Sequence, residues 1–139
     1  MLIVGLSFSQ CKSKSTKAIC DNYTRYTDDV PFEMSVSDIV CNTNEDVCIV
    51  LDSVFDDSRC PTGLQCIWEG NAKMRFKFLT ATGTYLFHLD TQPTSNVYQH
   101  DTTINGNNIS LVNLGPYPDA NSTTKITNYK ATIKINPVK

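Results

Sequence analysis

The chain has no excess of basic charge, no apolar run of membrane-spanning length and no window of helical periodicity. Each absence removes a class of function. Twelve Lys and Arg stand against fourteen Asp and Glu, for a formal net charge of -2 and a pI of about 5.5. The lysines are scattered rather than striped, which argues against a nucleic-acid partner. The run Leu2–Leu6 falls far short of the ~20 residues that a membrane helix needs. Enzyme signatures are missing as well: there is neither a Gly-x-Ser-x-Gly elbow nor a His-Glu-x-x-His pair. His88 lies between Phe87 and Leu89, where alternation sends it to a solvent face, and His100 falls in a loop. No catalytic residue is assigned.

What is present is period-two alternation from Pro31 onward. Phe32, Met34 and Val36 alternate with polar residues, as do Val47, Ile49 and Leu51, which run on to Val54-Phe55. Met74, Phe76 and Phe78 oppose Lys73, Arg75 and Lys77, and Tyr85, Phe87 and Leu89 follow. Ile109, Leu111, Val112 and Leu114 form a further strand, and Ile126, Tyr129, Ala131, Ile133 and Ile135 close the chain. Such alternation marks half-buried strands. Turn-rich breaks separate them, and Asn105-Gly106 reads as a type I′ hairpin turn. Six to eight short antiparallel strands predict an all-β single domain, either a β-sandwich or a small β-barrel with disulfide-closed loops. At 139 residues the chain suits one domain with a short leader.

The densest information lies in Asp57-Ser58-Arg59-Cys60-Pro61-Thr62-Gly63-Leu64-Gln65-Cys66-Ile67-Trp68. Two cysteines enclose five residues, among them Pro61, with its fixed φ, and Gly63, which tolerates positive φ. The reading is a tight loop closed by Cys60–Cys66, with the only Trp, Trp68, entering the core beside it. Spacing also favours Cys41–Cys48, each bridge contributing roughly 2–3 kcal/mol in the chain-entropy picture. Disulfides place the protein outside the cytoplasm.

Metal binding is not expected. Neither cysteine pair has the two-residue spacing of a zinc knuckle. A calcium loop begun at Asp101 would need Glu at its twelfth position, where Val112 stands. Asp52, Asp56 and Asp57 are read as solvated strand-end carboxylates that can pair with Arg59. No cofactor is expected either.

At the start of the chain, Phe8-Ser9-Gln10-Cys11 is similar to a bacterial lipoprotein cleavage box, although Gln10 replaces the usual small residue. Residues 1–10 are therefore read as a signal-peptide remnant, 11–28 as a polar tether lipid-anchored at Cys11, and 29–139 as the β domain. In this reading the membrane is touched only through the lipid. The tether carries Tyr23, Thr24, Arg25 and Tyr26, an arm able to add along a partner's cleft as a strand.

Asp57-Ser58-Arg59-Cys60-Pro61 followed by Cys66-Ile67-Trp68-Glu69-Gly70-Asn71-Ala72 resembles a motif of small lipoproteins from Bacteroidetes-type bacteria. Leu111–Pro118 and Tyr129–Ile133 look like the closing strands of that family, so the resemblance covers roughly residues 30–137. Some small lipoproteins of this class, the potempins, inhibit secreted serine or metallopeptidases made by the same bacterium. The resemblance implies a non-catalytic outer-membrane lipoprotein, on the periplasmic or cell-surface side or released, monomeric when free, that inhibits a secreted peptidase. Thr62, Gly63, Leu64 and Gln65 are the expected contact loop. The alternative is an envelope-associated structural or ligand-binding sandwich without inhibitory activity.

Overall fold

The computed structural model describes residues 23–92, 99–121 and 128–139. Nine strands account for most of them: β1 (Thr24–Tyr26), β2 (Phe32–Ser35), β3 (Ile39–Asn42), β4 (Cys48–Asp57), β5 (Ala72–Thr80), β6 (Gly83–Asp90), β7 (Asp101–Ile104), β8 (Asn107–Gly115) and β9 (Lys130–Pro137). They form two packed sheets, of order β1-β3-β4-β5-β6 and β2-β9-β8-β7. The sheets do not close on each other, so the fold is a β-sandwich and not a barrel. All strand pairs are antiparallel except β1 with β3.

The core follows the alternation. Met74, Phe76 and Phe78 of β5 are fully buried, as are Ile49 and Leu51 of β4 and Ala131, Ile133 and Ile135 of β9. Burying side chains of this size stabilises by about 1.5–3 kcal/mol each before entropy is counted. The outward residues of β5 form ion pairs with β4: Asp52 takes Arg75 and Lys77, and Asp56 takes Lys73. Hydrogen bonds from Lys77 and Arg75 hold the Asp52 carboxyl below its ordinary range.

Register slips explain where simple alternation fails. Bulges between Leu51 and Ser53 and between Val54 and Asp56 turn both Leu51 and Val54 inward while Phe55 faces solvent against His88. A bulge between Leu111 and Asn113 likewise leaves Val112 exposed between the buried Leu111 and Leu114. At the β7–β8 turn, Asn105 and Gly106 both have positive φ, as a type I′ turn requires.

The segment expected as a free arm belongs partly to the body. Thr24–Tyr26 pair with Val40–Asn42, and the buried Tyr26 ring stacks on Phe32 at 4.8 Å. Tyr26 is therefore unavailable to a partner, while Tyr23, Thr24 and Arg25 stay exposed. The reason is apolar: burying an aromatic ring outweighs the polar company in which it sits. Cys11, Cys20 and the leader lie outside the described residues.

Candidate functional site

The connection from β4 to β5, residues 58–71, is the feature that the rest of the sandwich positions. Its neck is hydrogen-bonded beyond the strand ends. Ser58 N donates to Asn71 O at 2.7 Å, Cys60 N donates to Glu69 O at 2.7 Å, and Asn71 N donates to Ser58 Oγ at 3.2 Å. The two limbs approach so closely at Gly70 (φ +74°) that a Cβ there would stand 1.9 Å from Ser58 O. Only glycine fits. Above the neck, the Cys60–Cys66 disulfide closes the loop.

Beneath the loop lies a buried ion pair. Arg59 Nε and Nη2 donate to the two oxygens of Asp57 at 2.9 and 2.8 Å, a bidentate fork. The same guanidinium donates to Leu114 O at 2.7 Å and Pro116 O at 3.0 Å, and its Cζ lies 4.9 Å from the Tyr117 ring centre. Tyr129 OH donates to Asp57 Oδ2 at 2.9 Å. Burial acts to raise the Asp57 pKa, but the Arg59 and Tyr129 hydrogen bonds outweigh it and hold the carboxyl low. Burial and the Asp57 contact push the Tyr129 phenol up to about 12. Arg59 thus ties β4, the 115–118 turn and the loop base into one unit.

A second buried carboxyl fixes the other flank. Asn71 Nδ2 donates to Asp90 Oδ2 at 2.7 Å, and Asn71 Oδ1 accepts from Thr91 Oγ1 and Gln92 N. Asp90 is fully buried, and its Oδ1 has no hydrogen-bond partner among the described residues. Burial raises the Asp90 pKa, and the Asn71 hydrogen bond only partly opposes that.

The contact residues expected from sequence divide into two groups. Thr62 is an anchor: its N and Oγ1 both donate to Pro118 O, and its carbonyl accepts from Ala120 N. Gly63, Leu64 and Gln65 are exposed, and Gly63 takes φ +91° with open space around it. The expectation for Trp68 fails. It is 62% exposed, and Ile67 beside it is fully exposed, so neither fills the core. Both lie between the disulfide and the Gly70 neck, outside any strand that could turn a side chain inward. Thr62 to Glu69 are exposed without interruption. Leu64, Ile67 and Trp68 therefore make an apolar tip, with exposed Tyr117 on the adjoining turn. The sequence signal for this was the adjacency of Ile67 and Trp68, which cannot both face inward from one extended segment.

Of the other candidates, Asp52, Asp56 and Asp57 are each committed to cations of the chain. Among the described residues, no group of three or more His, Cys, Asp or Glu is placed to hold a metal ion. Against protein-family models, curated proteins and solved structures, the chain finds no match.

Proposed function

We propose that this chain is a non-catalytic bacterial lipoprotein that inhibits a secreted peptidase, metallo- or serine, by seating the 58–71 loop in its active-site cleft. One observation carries the reading. Eight consecutive exposed residues, three of them large and apolar, sit on a loop held by a disulfide, a paired neck and a buried Arg–Asp fork. Exposed apolar side chains grouped in this way suit a protein-binding surface. A loop already ordered before contact avoids the entropy cost of ordering on binding. Trp68 is the natural anchor, since buried Trp dominates binding energy at interfaces. Leu64, Ile67 and Gln65 supply the surrounding contact, and Cys11 supplies the membrane attachment.

The test is a titration of the purified chain against a panel of secreted bacterial metallo- and serine peptidases. Inhibition of at least one at micromolar concentration is expected, and inhibition of none removes the proposal. Where inhibition is found, Trp68→Ala should weaken it by about 2 kcal/mol, roughly 30-fold. Unchanged potency in both Trp68→Ala and Leu64→Ala would move the contact away from this loop.

A further inference from the structure

Among the described residues, the second sheet is incompletely paired at one edge. β8 spans Asn107–Gly115, but β7 pairs only with Asn107–Ser110. One more bond, from Leu111 N to His100 O at 2.9 Å, ends that pairing. At this point the chain leaves β8, because Gln99 O accepts from Asp90 N on the other sheet. Among the described residues, no strand continues beside Val112, Asn113 and Leu114 on the side that β7 covers. A cleft of about 360 Å³ occupies that place. Leu111–Leu114 line it, together with Glu69, Gln92, His100 and Arg59.

We infer that this cleft takes a short extended peptide segment carrying a basic side chain, added as a strand in line with β7. Two observations on the cleft support this occupant. The open edge is three residues long, about 10 Å at the ~3.3 Å rise of a strand, so a tripeptide fills it. At the far end, Arg59 Nη1 already occupies the Leu114 carbonyl, so the added strand ends there. Backbone pairing along an exposed edge is an established mode of peptide capture.

Charge selects the side chain. Arg59 is neutralised by Asp57, whereas the Glu69 carboxylate on the wall meets only the neutral amide of Gln92, at 2.8 Å, and pairs with no cation among the described residues. A Lys or Arg of the peptide supplies that cation. Exposed Val112, thrown out by the bulge, gives the segment's neighbouring residue an apolar contact. His100 Nδ1 lies 2.8 Å from the Asp90 carbonyl, which can only accept, so the ring donates to it. The inference stands apart from the loop-tip reading: a chain that inhibits no peptidase would still take the peptide here.

The experiment is an amide-resolved NMR titration of the full chain with acetyl-Val-Lys-Val-amide, its Glu counterpart and its backbone N-methylated form. The Lys peptide should shift the amides of Val112, Asn113 and His100. It should bind about fivefold tighter than the Glu peptide, a ratio typical of an exposed charge pair. Glu69→Gln should abolish most of that preference. The N-methylated peptide, which lacks strand-forming N–H groups, should not bind. No shift at 111–114 up to millimolar peptide, or equal binding of the N-methylated form, would overturn the inference.

Discussion

The two disulfides close loops of nearly equal length, seven and six residues apart in sequence, yet the loops have opposite characters. Cys41 and Cys48 are direct cross-strand partners at the end of the β3–β4 hairpin, buried with Ile39 and Leu79. The turn they close uses its polar groups internally. Buried Asn42 accepts from the backbone N of Asn44 and Glu45 and donates to Asp28 at 2.7 Å. Cys60 and Cys66 instead close a loop that is fastened at its neck and at Thr62, while Gly63, Leu64 and Gln65 face solvent. Chain entropy rewards the two bridges alike, since it depends only on loop length. What separates them is what the enclosed residues do with their polar and apolar groups. One loop completes the sandwich, and the other is displayed by it.

The largest effect expected from breaking this contrast comes from the base of the displayed loop. Arg59→Ala removes the bidentate partner of Asp57 and the donors to Leu114 and Pro116, leaving a buried carboxylate beside Tyr129. A loss of about 3–5 kcal/mol is expected, measured by chemical denaturation. A loss below about 1 kcal/mol would mean that the fork is not structural. Replacing Cys41 and Cys48 together with Ser comes next. It opens the loop and puts hydroxyls where buried sulfurs packed, for about 3–4 kcal/mol. The same exchange at Cys60 and Cys66 costs about 2 kcal/mol, because those positions can be hydrated. Equal losses in the two pairs would erase the distinction between the loops.

The two carboxyls at the loop base sharpen the contrast through pH. Asp57 is held below the ordinary value near 3.8. Its stabilisation is therefore present above that value and lost as pH falls through the lowered one. Asp90 is raised by burial, so its contribution is complete below 3.8 and is lost as pH rises through the raised value. The slopes oppose. Asp90→Asn should gain on the wild type as pH is raised from 4 to 7, and Asp57→Asn should draw level with it as pH is lowered through the depressed Asp57 value. Parallel pH profiles for Asp90→Asn and the wild type would show that Asp90 does not titrate in this range.

Much of this architecture was legible because strands with one buried face must alternate. Met74-Phe76-Phe78 and Ala131-Ile133-Ile135 declare their faces without any knowledge of their neighbours. Both disulfides could be read from spacing, and the I′ turn from Asn105-Gly106. Three things resisted. Bulges depend on the partner strand's register, so the outward turn of Phe55 and Val112 has no local signature. Tyr26 sits in a polar stretch, and its burial is decided by Phe32, a residue it meets only after folding. At the candidate site, Thr62–Gln65 stood out as a constrained loop, but Thr62 proved to be a fastening and the apolar tip extended past the second cysteine. The Arg59 fork was half visible: pairing with a nearby carboxylate was readable, whereas its bonds to carbonyls 55 and 57 residues away were not.

Trp68 gives the smallest expected effect on the fold and the sharpest test of what the displayed loop is for. A Trp that fills a core costs about 3–5 kcal/mol when cut to Ala. Trp68 is more than half exposed on a loop fastened below it, so Trp68→Ala should change unfolding stability by less than about 0.5 kcal/mol. Its fluorescence should respond freely to an aqueous quencher in the isolated chain and be shielded when a peptidase is bound. The two readouts separate cause from accompaniment. If stability falls by several kcal/mol, the side chain packs inward in solution and the apolar tip dissolves. If stability holds while a bound peptidase leaves the fluorescence unprotected, the loop is displayed but some other surface makes the contact.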